Sequence, residues 1–383
     1  MMYSGTIMNR PINYLSGVVY RKILKPILFL QKPDGVHVHL LKVGGLAQKS
    51  SLIRTFLYSI WAYENARYLR QTLHGVTFRN PVGLSAGFDK NFKLVGLMKC
   101  IGFGFMEGGS LTYHPCAGNE KPWFYRLPKS KSLVVHVGLA NQGVEEILQR
   151  INTLPATVRK DFPLNISIAR TNSASVSSDE DGIADYMGSL RAILEKDTGE
   201  MITINISCPN AYGGEPFTTP GRLDTLLSEI DTLHIKKPLF IKMPLLQSWP
   251  EARLLIEVAA KHRVTGLVIS NLAKDRSNII LKDPLPVEVK GSLSGKPTWE
   301  ISNELIRQTY REFGDRLTII GVGGIFTAQD AYTKIRLGAS LIELITGMIF
   351  EGPQQIGEIN RGLVELLIRD GYTNVSQAIG VDA

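Results

Sequence analysis

Hydrophobic spacing divides the chain into two parts. Up to about residue 68, apolar residues recur at helical intervals over residues 18–30, 36–43 and 51–68. In the last of these stretches Leu52, Phe56, Leu57, Ile60 and Trp61 fall on one side. From Asn80 onward, short β-rich runs alternate with helical stretches. Runs 82–86, 103–108, 164–169, 201–206, 239–243, 266–270, 317–322 and 340–346 predict strands, and 182–194, 252–262, 299–313, 328–337 and 353–369 predict helices. Eight strands, each followed by a helix, is the arithmetic of an α/β chain built as a (β/α)8 TIM barrel, here with an N-terminal helical extension. The expected division is 1–70 for the extension and 71–383 for the barrel. An open doubly wound sheet is the alternative, but no glycine-rich dinucleotide fingerprint follows the first strand.

Barrel chemistry gathers at the C-terminal ends of the strands. The first strand ends in Ser85-Ala86-Gly87-Phe88-Asp89-Lys90 and the second in Gly109-Ser110. The fourth ends in Asn205-Ile206-Ser207-Cys208-Pro209-Asn210, where two amides flank a thiol on a loop that Pro209 stops from continuing the sheet. Amides can grip a planar polar ring, and a thiol can move a proton. The plainer reading of Cys208 is a small buried hydrophobe. Cys100 and Cys116 lack comparable neighbours.

The seventh strand ends in Gly323-Gly324 and the eighth in Thr346-Gly347, the two loops that commonly cradle a phosphate in this architecture. The loop segment Gly291-Ser292-Leu293-Ser294-Gly295-Lys296 can add further donors. A phosphate-bearing cofactor follows. Lys90 and Lys242 are either rim charges or site residues. Lys242 sits among Phe240, Ile241 and Met243, so a buried ammonium there needs an anionic partner. The N1 and O2 edge of a reduced flavin supplies one.

Composition narrows the partners. With 383 residues and 44% hydrophobic content the chain can bury a large core, and its net charge of +8 favours anionic partners. Interleaved aromatic and basic clusters are missing, as is any zinc spacing, which argues against nucleic acid and metal. Three widely spaced cysteines speak for a reducing compartment. No apolar run reaches 18 residues. The stretch 12–30, interrupted by Arg21, Lys22 and Lys25, suits a helix lying on a membrane with its cations toward anionic head groups. The same helices can equally cap the barrel.

Several motifs in order carry a family resemblance: Asn80-Pro81-Val82-Gly83, Ala86 to Lys90, Gly118-Asn119 with Pro122 and Phe124-Tyr125-Arg126-Leu127, Asn205 to Asn210, Ser294-Gly295-Lys296-Pro297, Ile319 to Ile325, and Gly338-Ala339-Ser340-Leu341. The chain from about Tyr20 onward resembles the dihydroorotate dehydrogenases, FMN enzymes of pyrimidine (UMP) synthesis. Its N-terminal helices, with Tyr20-Arg21 and residues 33–37, resemble the quinone-using, membrane-associated class. That resemblance implies oxidation of dihydroorotate to orotate. A base takes the C5 proton, hydride passes from C6 to the flavin, and quinone reoxidises it. It implies Cys208 as base, and Ala86, Gly87, Lys90, Ser110, Asn205, Lys242, Ser294, Gly295, Gly323, Gly324 and Thr346 around FMN. Lys90, Asn205, Asn210 and Asn271 would hold substrate, and His37 and Arg126 would line a quinone tunnel in the N-terminal segment. It implies a peripheral protein of a bacterial cytoplasmic or mitochondrial inner membrane, and leaves the oligomeric state open.

The chain also departs from that pattern. Cys208 stands where the quinone class carries serine, and Leu139 likewise resembles the soluble classes. Val135 stands at a family Asn, Leu272 at a Thr or Ser, Ser167 at an Asn, and Ile345 at a tunnel-side Tyr. These positions keep open a diverged FMN-dependent barrel oxidoreductase acting on another cyclic substrate. A third reading is a membrane-associated binding protein without turnover.

Overall fold

The computed structural model describes residues 5–208 and 217–383, so Pro209 and Asn210 lie outside the described residues. The eight barrel strands are β1 (Val82–Leu84), β2 (Phe105–Leu111), β3 (Leu164–Ile168), β4 (Met201–Asn205), β5 (Leu239–Lys242), β6 (Gly266–Ile269), β7 (Thr318–Val322) and β8 (Leu341–Leu344). All neighbours pair in parallel, and β8 pairs with β1 to close the ring. Each run is the one read from the sequence, trimmed or shifted by one to three residues. The open-sheet alternative is thereby excluded.

Period-two alternation sorts the barrel interior by height. Phe105, Met201, Phe240, Val268, Ile320 and Leu341 form an apolar floor together with Phe78. Phe78 comes from the hairpin Gln71–Leu73 and Val76–Phe78, which plugs the N-terminal end; its ring meets that of Phe105 edge-on at 5.3 Å. Gly83 is dictated by this packing, because a Cβ there would lie 2.3 Å from the Phe105 ring. Two residues further along the same strands the interior turns polar: Glu107 on β2, Lys242 on β5 and Glu343 on β8, each buried. Asn165 joins Thr203 at 2.8 Å on the other side.

Short segments missed by hydrophobic spacing build the mouth. Phe124–Leu127, Ser132–Val135 and Ser292–Leu293 form a three-stranded antiparallel sheet with Ser132–Val135 central. The N-terminal helices lie against this mouth. Gly5–Val19 runs through a π-helical turn, Tyr20–Leu24, into Lys25–Leu30; Pro33–Ala47 and Ser51–Trp61 follow. Asp34 ties the third to the sheet by accepting from the Trp123 backbone N–H at 2.8 Å.

Two expectations for this region need correction. The stretch 51–68 is not one helix: Ala62 is extended, and a separate turn Ala66–Leu69 follows. The break falls where the Trp61 carbonyl presses against Gly357, leaving no room for a Cβ there. Arg21 does not face outward as a lipid-binding cation. Its guanidinium lies 4.0 Å from Glu351 and 3.8 Å from Glu358, two carboxylates of the barrel.

Candidate functional site

Two adjoining cavities occupy the C-terminal end of the barrel. The first, about 1170 Å³, is bordered by Ala86, Gly87, Lys90, Ser110, Asn205, Cys208 and Asn271 on its polar side. The second, about 550 Å³, is bordered by Ser85, Gly295, Gly323, Gly324 and Thr346. Ala86, Lys242, Asn271, Ser294 and Thr346 border both, so the cavities form one elongated space. Every described residue singled out for cofactor or substrate therefore borders this space.

At its inner end the backbone is arranged for close approach. Gly323 and Gly324 have φ of 109° and 70°, and a Cβ on either would collide with Thr298 or Trp299. Ser294 Oγ and Thr346 Oγ1 are 2.9 Å apart. The Lys296 ammonium pairs with Asp330 at 2.9 Å, lies over the Trp299 ring and donates to the Gly324 carbonyl at 3.5 Å. Glycines, paired hydroxyls and backbone groups suit the phosphate of a nucleotide cofactor.

At the outer end the amides are locked. Asn205 donates from Nδ2 to Ser110 Oγ at 2.8 Å, while its Oδ1 accepts from the Ser207 N–H at 3.1 Å. Asn271 Nδ2 reaches Asn205 Oδ1 at 3.3 Å and the Ser207 carbonyl at 2.8 Å. Ser110 also meets Ser167 at 2.9 Å. Such a network fixes amide orientation, the requirement for reading a planar ring. Half-buried Cys208 stands next to this pair. Lys90 donates to the Gly87 carbonyl at 2.5 Å. Burial lowers its pKa to about 8, against the opposing pull of Asp89 and Cys208.

Lys242 required an anion, and the protein itself provides it. Its ammonium donates to Glu107 Oε2 at 2.6 Å and to Ser85 Oγ at 3.1 Å. The anionic partner that the sequence reading sought in a reduced flavin edge is thus joined by one within the barrel. Glu107 was missed in the sequence because a single carboxylate within a β-rich run carries no spacing signal. The clue available was an acid at an inward position of an otherwise buried strand. Glu107 is held below the usual carboxylate range: burial raises its pKa, but Lys242 and the hydrogen bonds outweigh burial.

The opposite wall is apolar. Val135, Val137, Leu139, Leu272 and Ile345 border the first cavity, so four of the departures from the family pattern, Val135, Leu139, Leu272 and Ile345, face the site, while Ser167 reaches it only through Ser110. His37 packs edge-on against Phe88 and Phe124, each with centroids at 5.5 Å. Burial, then the Lys90 charge, lowers its pKa to about 4, leaving it neutral at physiological pH. Arg126 lies 4.5 Å over the Phe29 ring and donates to the Phe29 and Gln31 carbonyls at 3.1 and 2.7 Å. Beyond them an apolar cavity of about 1760 Å³ opens between the N-terminal helices and the barrel, lined by Leu15, Tyr20, Leu28 and Leu97 among others. Val36, Leu40, Phe88, Arg126 and Ile349 border both this cavity and the first, so the two adjoin along this side.

The chain matches the family profile described as dihydroorotate dehydrogenase over residues 68–367. It is 34% identical over 364 residues to dihydroorotate dehydrogenase (quinone) of Crocosphaera subtropica, covering 91% of this chain and 94% of that protein. The corresponding protein of Trichodesmium erythraeum is 30% identical over 380 residues, covering 95% and 98%. Among solved structures, ligand-free DHODH from Eimeria tenella superposes with a TM-score of 0.75 at 26% identity, covering 88% of this chain and 98% of that one. The profile match takes in all eight barrel strands and the similarity to relatives covers 91% of the chain, so the chain belongs to the dihydroorotate dehydrogenase family.

Proposed function

We propose that this protein oxidises dihydroorotate to orotate in pyrimidine biosynthesis, binding FMN in the elongated space and passing electrons to a quinone. Family membership supports the reaction, and the observation that carries the two-substrate reading is the apolar cavity that adjoins the first at Phe88 and Arg126. It gives an apolar acceptor a route to the inner site separate from the polar pocket at Asn205 and Asn271.

FMN would supply hydride acceptance when bound. Gly323, Gly324, Gly295, Ser294 and Thr346 would hold its phosphate, with Ala86, Gly87, Ser110 and Lys242 along the remainder. Asn205 and Asn271 would orient the substrate ring. Lys90 offers positive charge to a carboxylate substrate. Cys208 would take the C5 proton, and Asn210, outside the described residues, is carried as a further substrate amide. His37 and Arg126 would border the quinone path.

Residues 1–70 would form a membrane-facing cap on the barrel domain, 71–383. No described helix is long and apolar enough to cross a membrane. The cap nevertheless exposes Leu30 (89%), Leu52 (81%), Leu46 (67%) and Phe56 (62%), an apolar outer face suited to lipid. Anionic lipid would meet the surplus of positive charge. The test of the cofactor is direct: purified protein should be yellow and release FMN on denaturation. Colourless protein that fails to take up FMN would refute this reading.

A further inference from the structure

Two carboxyl groups and one ammonium share the barrel interior below the site. Glu107 and Glu343 are both fully buried, on β2 and β8. Lys242 and the Ala86 N–H both donate to Glu107 Oε2, at 2.6 and 3.1 Å. Glu107 Oε1 and both Glu343 oxygens receive no donor from the described residues. The two carboxyls lie within hydrogen-bonding reach of each other. Glu343 also borders the inner cavity beside Lys242 and Ser85.

Charge counting decides the protonation state. With both acids ionised, a single ammonium would leave one uncompensated anion in a desolvated interior, a cost of several kcal/mol. Like-charged carboxyls in contact cannot both ionise near neutrality. The alternative satisfies more atoms, because one proton between the acids makes the cluster neutral and gives Glu107 Oε1 a donor. We propose that Glu343 is carried as a neutral acid that donates its proton to Glu107, making it a positioning residue for the Lys242 ammonium.

The surroundings agree. Burial first, and the Glu107 charge second, hold Glu343 well above the usual carboxyl range; the Lys242 charge opposes. Residues paired beside Glu343 are Gly83 on β1 and Val322 on β7, neither titratable. Lys242 therefore has one strong anionic partner rather than two and keeps its place at the cavity. Removing the donor from Glu107 without replacing it would strengthen the Glu107 claim on Lys242 and withdraw positive charge from the cavity.

The link to the cofactor rests on the flavin reading above; the protonation state does not. Infrared spectra of the purified holoprotein at neutral pH test the state itself. A buried protonated-carboxyl band should be present in wild type and missing in Glu343→Gln. No such band in wild type, or an unchanged band in the variant, overturns the proposal. If Glu343→Gln does not fold, the wild-type band alone decides: its presence supports the proposal and its absence overturns it. The reduction potential of bound flavin tests positioning. Glu343→Leu should lower the potential, whereas Glu343→Gln, which still offers a donor to Glu107, should restore it to the wild-type value. Equal shifts in both variants, or none in Glu343→Leu, overturn the positioning role. Protein that binds no flavin would sink the flavin reading while leaving the infrared result in force.

Discussion

Lys242 and Glu107 meet at 2.6 Å inside the barrel, one from β5 and the other from β2, with both side chains almost completely removed from solvent. Breaking such a pair leaves an uncompensated buried charge. Glu107→Ala should destabilise the fold by about 3–5 kcal/mol, read as a lower denaturation midpoint. The folded Glu107 pKa lies below its unfolded value, so its contribution is present above the unfolded value and lost as pH falls through the folded one. The difference between wild type and variant should therefore shrink on acidification, and a gap that widens in acid would contradict this account.

Cys208 and Lys90 set the pH behaviour expected of the outer site. Cys208→Ala should lower dihydroorotate turnover by about 10²–10⁴-fold while retaining flavin absorbance. Lys90, with its pKa near 8, loses its ammonium as pH rises through that value. Binding of the anionic substrate should weaken above about pH 8, and Lys90→Met should remove that dependence. Titration of flavin absorbance with orotate across pH would measure both effects.

The neutral His37 ring, packed between Phe88 and Phe124, borders the first cavity beside Val36 and Leu40, which also line the apolar one. His37→Ala should raise the quinone KM by on the order of tenfold, matching the loss of one or two aromatic contacts of about 1 kcal/mol. Reduction of the flavin by dihydroorotate should change far less. Since His37 is deprotonated above about pH 4, its contribution should be flat between pH 5 and 8. Separate rates for the two half-reactions check this.

Val135 tests the apolar wall. Replacing it with Asn, the residue that the resemblance places there, adds an amide where the cavity offers Leu139 and Leu272. One new hydrogen bond worth about 1–1.5 kcal/mol should tighten dihydroorotate binding about 5–10-fold. Unchanged or weaker binding would show that this wall serves a different ring edge.

The barrel was legible because β-branched runs and amphipathic helices alternate regularly from Asn80, and strand ends can be located from that alternation alone. The mouth sheet was not. Ser132–Val135 spans four residues and Ser292–Leu293 two, too short for period-two patterning to register. Residues such as Asn205, Gly323 and Thr346 were readable because barrel geometry assigns chemistry to strand ends. The Glu107 partner of Lys242 was not, because pairing across a barrel joins residues 135 positions apart with no local trace. Lys242 announced the need for an anion, and only the closed ring identified it. The inward course of Arg21 was hidden similarly, since the acids that draw it in lie more than 300 residues later.

Two half-reactions would meet at one flavin in this protein. Anaerobic stopped-flow mixing with dihydroorotate, followed by a second mix with quinone, fumarate or NAD, tests it most directly. Dihydroorotate should bleach flavin absorbance rapidly, and quinone should restore it at a rate far above that with fumarate or NAD. Flavin that stays oxidised with dihydroorotate, or that recovers fastest with fumarate or NAD, would contradict it.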